Sequence, residues 1–218
     1  MTEGPFLRVF AFTPSRSGVI DSVLRDELLP DLTRQRDVLD AYAGRHGTGD
    51  TGERLVVSIW SSQEAMDAWP GEGQLIAEHS QIADGTETVR HAAGAIAVAL
   101  MFERDEEARV LRVFEGEVHN GTLADYVEGV RRGARADGAE NSSLIALYLV
   151  ERPDAGFLTV SAWTDWEGIE AATGGDLGHP IRTRYSDRVT ILNVTHYEIL
   201  PGVARPATTH LGSEAAVV

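Results

Sequence analysis

Neither cysteine nor lysine occurs in the 218 residues, and each absence removes chemistry. Without a thiol there is no thiolate nucleophile, no Cys-ligated metal and no disulfide. Without an ε-amine there is no Schiff base and no phosphate-loop lysine. All 19 basic residues are therefore arginine, set against 34 acidic ones for a net charge of -15. Nucleic acid and anionic membrane surfaces need a cationic face, which this balance does not offer. No apolar run approaches the roughly 18 residues of a membrane span. Met1 to Pro5 lacks the basic and apolar regions of a signal peptide, so the expected location is cytoplasmic.

Several motifs are missing or fail on context. Gly-x-Ser-x-Gly is absent, which removes the nucleophile elbow of α/β-hydrolases. Gly47 to Gly52 spells G-x-G-x-x-G, but it lies between two expected strands rather than between a strand and a helix, so it does not fit a dinucleotide fingerprint. Asp105-Glu106-Glu107 has no calcium-loop spacing and reads as a solvated turn. His91, His119 and His196 share no ligand spacing, and no metal is expected on them.

What the chain does contain is a repeat. Ser58-Ile59-Trp60-Ser61-Ser62-Gln63-Glu64-Ala65 returns in degraded form as Ser161-Ala162-Trp163-Thr164-Asp165-Trp166-Glu167-Gly168, and Leu7-Arg8-Val9-Phe10 returns unchanged as Leu111-Arg112-Val113-Phe114. In both copies of the longer stretch a β-branched run ends on Trp, an N-cap residue follows, and a Glu-bearing helical turn begins. Around these marks the first half reads as a strand at Leu7–Phe12, a helix from Val19 that Pro30 should kink or break, and strands at Val38–Gly44 and Glu53–Trp60. A helix carrying Ala65, Met66 and Trp69 follows, then a strand at Ala95–Phe102. The second half repeats the programme with a helix from Thr122 and strands at Leu111–Phe114, Leu144–Val150, Phe157–Trp163 and Val189–Leu200. Each half is then β-α-β-β-α-β, the ferredoxin-like arrangement within an α+β class. The expected domains are 1–104, 105–200 and a loose tail at 201–218. The bare sheet faces of the two tandem units would pack together as a pseudo-dimeric α/β barrel.

A strand ending in Trp, the Ser-x-Glu-Ala turn after it and the closing His196-Tyr197-Glu198-Ile199-Leu200 resemble the antibiotic biosynthesis monooxygenase domain of the dimeric α/β-barrel superfamily, in two tandem copies. The resemblance implies cofactor-independent oxidation of an aromatic or quinol-type substrate in an apolar pocket. Two alternatives stand beside it: a non-catalytic ligand-binding or assembly protein on the same fold, and a heme-binding or heme-degrading monooxygenase. Cofactor-independent oxygenation needs a water-excluding pocket, an aromatic wall and a group that takes or orients a proton. Candidates are His79 and His196 as catalytic groups, with Trp60, Trp69, Trp163, Tyr126 and Arg8 lining the substrate. Trp166, Tyr148, His119 and Arg112 belong to the wider set. Core packing for the strand tryptophans, and solvation or pairing for the strand arginines, are the plainer readings. By the same resemblance His79, ten positions after Trp69, would be the axial ligand if heme were bound, and this pair points to the N-terminal unit as the one with a pocket. The expected partners are a small apolar or aromatic ligand and a second copy of the chain in a homodimer.

Overall fold

Phe6–Thr13 forms the first strand, β1, and all but its last residue is buried. The structure, a computed structural model, describes residues 4–14, 19–47, 52–69, 87–140, 143–153, 155–181 and 186–201, with backbone alone at 87–89 and 134–140. After β1 come α1 (Ile20–Val23), a π-helical turn over Leu24–Leu28 and α2 (Leu29–Thr33). Pro30 does not break this helix as the sequence suggests. The π turn, closed by the Leu29 N–H on the Leu24 carbonyl, sets Pro30 in the first turn of α2, where a missing N–H leaves no hydrogen bond unmade. Ile20, Val23, Leu24, Leu28, Leu29 and Leu32 are all buried, so the apolar face continues through the widened turn.

Strands β2 (Val38–Arg45) and β3 (Arg54–Trp60) follow, then α3 (Gln63–Ala68) and the long β4 (Glu87–Met101). Next are β5 (Val110–Val118), α4 (Leu123–Glu140), β6 (Leu144–Glu151), β7 (Gly156–Trp163), α5 (Trp166–Thr173) and β8 (Val189–Ile199). Both Trp-ended strands run into helices with the expected caps. Ser62 Oγ accepts the Ala65 N–H at 3.2 Å, and Asp165 Oδ1 accepts the Gly168 N–H at 2.7 Å. Gly168 also sits where a Cβ would lie 2.2 Å from Ser143 Cβ, which brings α5 close to the start of β6.

All strand pairs among the described residues are antiparallel, in a mixed α+β fold. The chain divides into two compact units, one made of residues up to Ala95 with the segment from Tyr197, the other running from Ile96 to His196. The divide falls inside β4 and β8. In the first unit β4 pairs β1, β1 pairs β3, and β3 pairs β2, on whose other side Glu198 and Ile199 add a short ladder opposite Arg45 and Gly44. In the second unit the order is β8, β5, β7, β6, with Ile96–Met101 paired along β6. The strand at Ala95–Phe102 expected from sequence starts eight residues earlier, at Glu87. Arg90-His91-Ala92-Ala93-Gly94 lacks the alternation of large apolar residues that signals a strand, but its backbone pairs with β1 from Leu7 to Ala11. No helix among the described residues is long and apolar enough to cross a membrane.

The first unit's core gathers Phe6, Phe10, Phe12 and Trp60 with the apolar face of the helix from Ile20 to Leu32. The second unit has two clusters, one around Phe114, Tyr126, Leu147 and Phe157, the other around Val110, Leu144, Trp163 and Ile169.

Candidate functional site

Arg112 is the second residue of Leu111-Arg112-Val113-Phe114 on β5, a strand buried along most of its length. A strand arginine is expected in solvent or in an ion pair. Arg112 has neither: it is 2% exposed, and no carboxylate pairs with it among the described residues. Its Nη2–H donates to the His179 carbonyl at 2.5 Å, its Cζ lies 5.1 Å from the Phe114 ring centre, and its Nε–H is buried without an acceptor among the described residues. Burial of the charge brings its pKa down to about 10, so it remains a cation at neutral pH.

This guanidinium lines a pocket with Phe114, Val130, Leu147, Ile181 and Tyr126. Thr159, Pro180 and Ser186 complete the lining around about 490 Å³ of empty space, counted out into its mouth. A mostly apolar wall with a few polar groups suits a small organic ligand, although the enclosed part of the space, about 50 Å³, takes only part of one. α4 carries Tyr126 and Val130 four residues apart on one face, and the Tyr126 ring packs on Phe157 with centroids 4.6 Å apart. Desolvation holds the Tyr126 phenol well above its ordinary pKa, and the nearby Arg112 charge only partly offsets this, so Tyr126 keeps its proton at neutral pH.

Among the described residues, Tyr126 is the one member of the leading sequence-derived set that lines this pocket. Trp163 is 1% exposed in the other core of the same unit, and its indole N–H donates to Ser161 Oγ at 2.8 Å. Trp60 repeats that arrangement with Ser58 at 2.9 Å. A tryptophan whose polar edge is already bound within its own strand is core packing. His196 is half-buried with its ring 5.4 Å from that of Trp166, and is not among the pocket's lining residues. In the first unit Arg8 donates to the Met66 carbonyl at 2.5 Å and lies 5.9 Å from the Trp60 ring, which in turn is 6.1 Å from Trp69. Arg8, Trp60 and Trp69 are thus brought together, while His79 lies outside the described residues. Thr159 and Ser186 were not singled out by sequence, since neither belongs to a motif. Arg112 carries a signal, the repeated Leu-Arg-Val-Phe.

Heme iron needs an axial donor such as a neutral imidazole. The described lining of the second-unit pocket supplies a cation, a phenol and two hydroxyls but no imidazole, so these residues do not supply that donor. Among the described residues no cluster of His, Asp and Glu is suited to a metal ion.

Tyr126 shares its raised pKa with Tyr197, which is buried and donates to Glu53. The unfolded chain releases phenolic protons near 10, whereas the folded chain holds both to higher pH. Their contribution to stability is therefore complete below pH 10 and is lost as pH climbs beyond it. The urea midpoint is expected to fall between pH 9.5 and 11, and less so in Tyr197→Phe; an unchanged slope in that variant would remove Tyr197 from the account.

No family model matches the sequence, and no curated protein does. Solved structures do share the fold. A candidate monooxygenase from Fusobacterium nucleatum is 15% identical over 92% of this chain and 94% of its own, with a TM-score of 0.68. A second candidate monooxygenase, from Lactobacillus acidophilus, is 9% identical over 94% of this chain and 95% of its own, with a TM-score of 0.63. An anthrone oxidase-like protein is 14% identical over 94% of both chains, with a TM-score of 0.55. Chlorite dismutases have the same fold. At these identities the likeness is one of fold: the chain has the architecture of monooxygenase-like proteins.

Proposed function

We propose that the chain is a monooxygenase-like protein that oxidises an aromatic or quinol-type small molecule in the second-unit pocket, without a resident cofactor. The observation that carries this reading is the meeting of a guanidinium and a phenol on a mostly apolar pocket. Oxygenation of an activated methylene balances without a reductant: the methylene and one molecule of dioxygen give a ketone carbonyl and one molecule of water, the substrate supplying every electron. The protein's work is then to exclude water, hold the ring and favour its electron-rich form. The likeness to candidate monooxygenases and to an anthrone oxidase-like protein supports the reading at the level of fold. Two tandem ferredoxin-like units packed sheet to sheet as a pseudo-dimeric barrel are part of the same proposal.

Oxygen uptake tests it. With a panel of quinols and anthrones, at least one substrate is expected to drive uptake above the rate without protein, at one dioxygen per carbonyl formed, and Tyr126→Phe is expected to lower kcat/KM about tenfold. If none stimulates uptake while the same compounds bind, the non-catalytic ligand-binding alternative takes its place.

A further inference from the structure

Among the described residues, the second-unit pocket is lined by a cation and three hydroxyl groups but no base. Neither a carboxylate nor an imidazole is among its lining residues, and Tyr126 keeps its proton. Arg112 is anomalous in the same chain. At least seven other arginines are matched with carboxylates. This one, more buried than any described arginine except Arg54, has no such partner among the described residues, although acidic residues outnumber basic ones 34 to 19. A buried guanidinium on the pocket wall, without a carboxylate partner among the described residues and held in place by a carbonyl on Nη2 and an aromatic face beneath, is a receptor for one negatively charged oxygen.

We infer that the pocket selects its ligand as an aromatic oxyanion, a ring bearing one ionised oxygen seated against the Arg112 guanidinium with the Tyr126 hydroxyl as a second donor. This deepens the proposed function and rests on the same pocket. It also accounts for the missing base. An ionised phenol or enol stabilised by the guanidinium releases its proton to solvent and meets dioxygen already electron-rich, so no side chain has to remove it. The oxyanion is either a phenolate or a ring carboxylate, and the two are told apart by experiment.

The first arm is optical. 4-Nitrophenol titrated in the presence of excess protein is expected to ionise about one to two pH units lower than in buffer, as befits a phenol beside a fixed cation, with the shift gone in Arg112→Gln. The second arm compares 2-naphthoate with its neutral isostere 2-naphthamide by calorimetry, with the carboxylate expected to bind at least about tenfold tighter in wild type and no tighter in Arg112→Gln. A preference in either arm that depends on Arg112 supports the inference and names the source. Phenol and phenolate, and acid and amide, binding within about twofold of each other would overturn it while leaving an apolar oxygenase pocket standing. An anion preference retained in a folded Arg112→Gln would overturn it as well. Failure of all three probes to bind would remove the inference and the pocket's proposed role together, a result distinct from oxygen uptake without anion preference.

Discussion

Asp21→Asn is expected to destabilise the protein by about 2–3 kcal/mol, read as a lower urea midpoint at unchanged m-value. Arg54, at the start of β3, is 1% exposed, and its Nε–H donates to Asp21 Oδ1 at 2.5 Å while Nη1 donates to the Gly52 carbonyl at 2.6 Å. Removing the carboxylate charge leaves that guanidinium uncompensated in the interior, and the cost of breaking a buried pair greatly exceeds what the pair contributes net. Asp21 is partly exposed at 31%, which keeps the figure at the low end. The Arg25–Asp26 pair makes the contrast: both side chains reach solvent, at 39% and 56%, and Asp26→Asn is expected to leave the midpoint where it was. A loss under about 0.5 kcal/mol in Asp21→Asn would mean that Arg54 is satisfied by backbone alone.

The parts of the fold that were legible in the sequence are those where local and global signals agree. Ser61-Ser62 and Thr164-Asp165 announced helix caps after a Trp-ended strand, and Ser62 and Asp165 do cap. Gly47 to Gly52 was legible as a connection between strands because neighbouring β2 and β3 are antiparallel. Less was legible where tertiary context decides. The helix passes Pro30 through a π turn that no propensity foretells, and the first half of β4 is recruited by β1 rather than by its own residues.

The site shows the same division more sharply. Tyr126 could be named from sequence because an aromatic on the inner face of an amphipathic helix is a standing candidate. Trp60 and Trp163 were equally good candidates by type, and only the Ser58 and Ser161 hydroxyls, two residues earlier on the same strands, show that their polar edges are already used. That signal, Ser-x-Trp in both copies, was present in the sequence. Arg112 posed the opposite difficulty. Its letter context is identical to that of Arg8, so sequence could not say which would line a pocket. What separates them lies elsewhere in each copy. At a displacement of 103, Arg54 with its Asp21 partner in the first unit corresponds to Phe157 in the second, where the ring packs on Phe114 and Tyr126 instead.

Arg112→Met is expected to make the protein more stable, by about 1–2 kcal/mol, or roughly 3–6 °C in Tm for a chain of this length. The variant gives up one hydrogen bond to the His179 carbonyl, worth about 1 kcal/mol, and keeps an unbranched side chain over the Phe114 ring, where a thioether packs well. In exchange it removes a charge that the fold buries with no counterion among the described residues. The gain has a pH signature. Below pH 10 Arg112 is charged in both states, and the cost of burying it is fully present. Above pH 10 the folded chain releases this proton before the unfolded chain does, so the cost fades and the advantage of Arg112→Met narrows. A pocket that is cheaper to build without its cation, yet retains it, is what a binding requirement produces, since groups held ready for a ligand are poorly satisfied until it arrives. A lower Tm in Arg112→Met, with the fold intact by circular dichroism, would assign the guanidinium to structure and withdraw the strongest reason for placing the ligand's charge beside it.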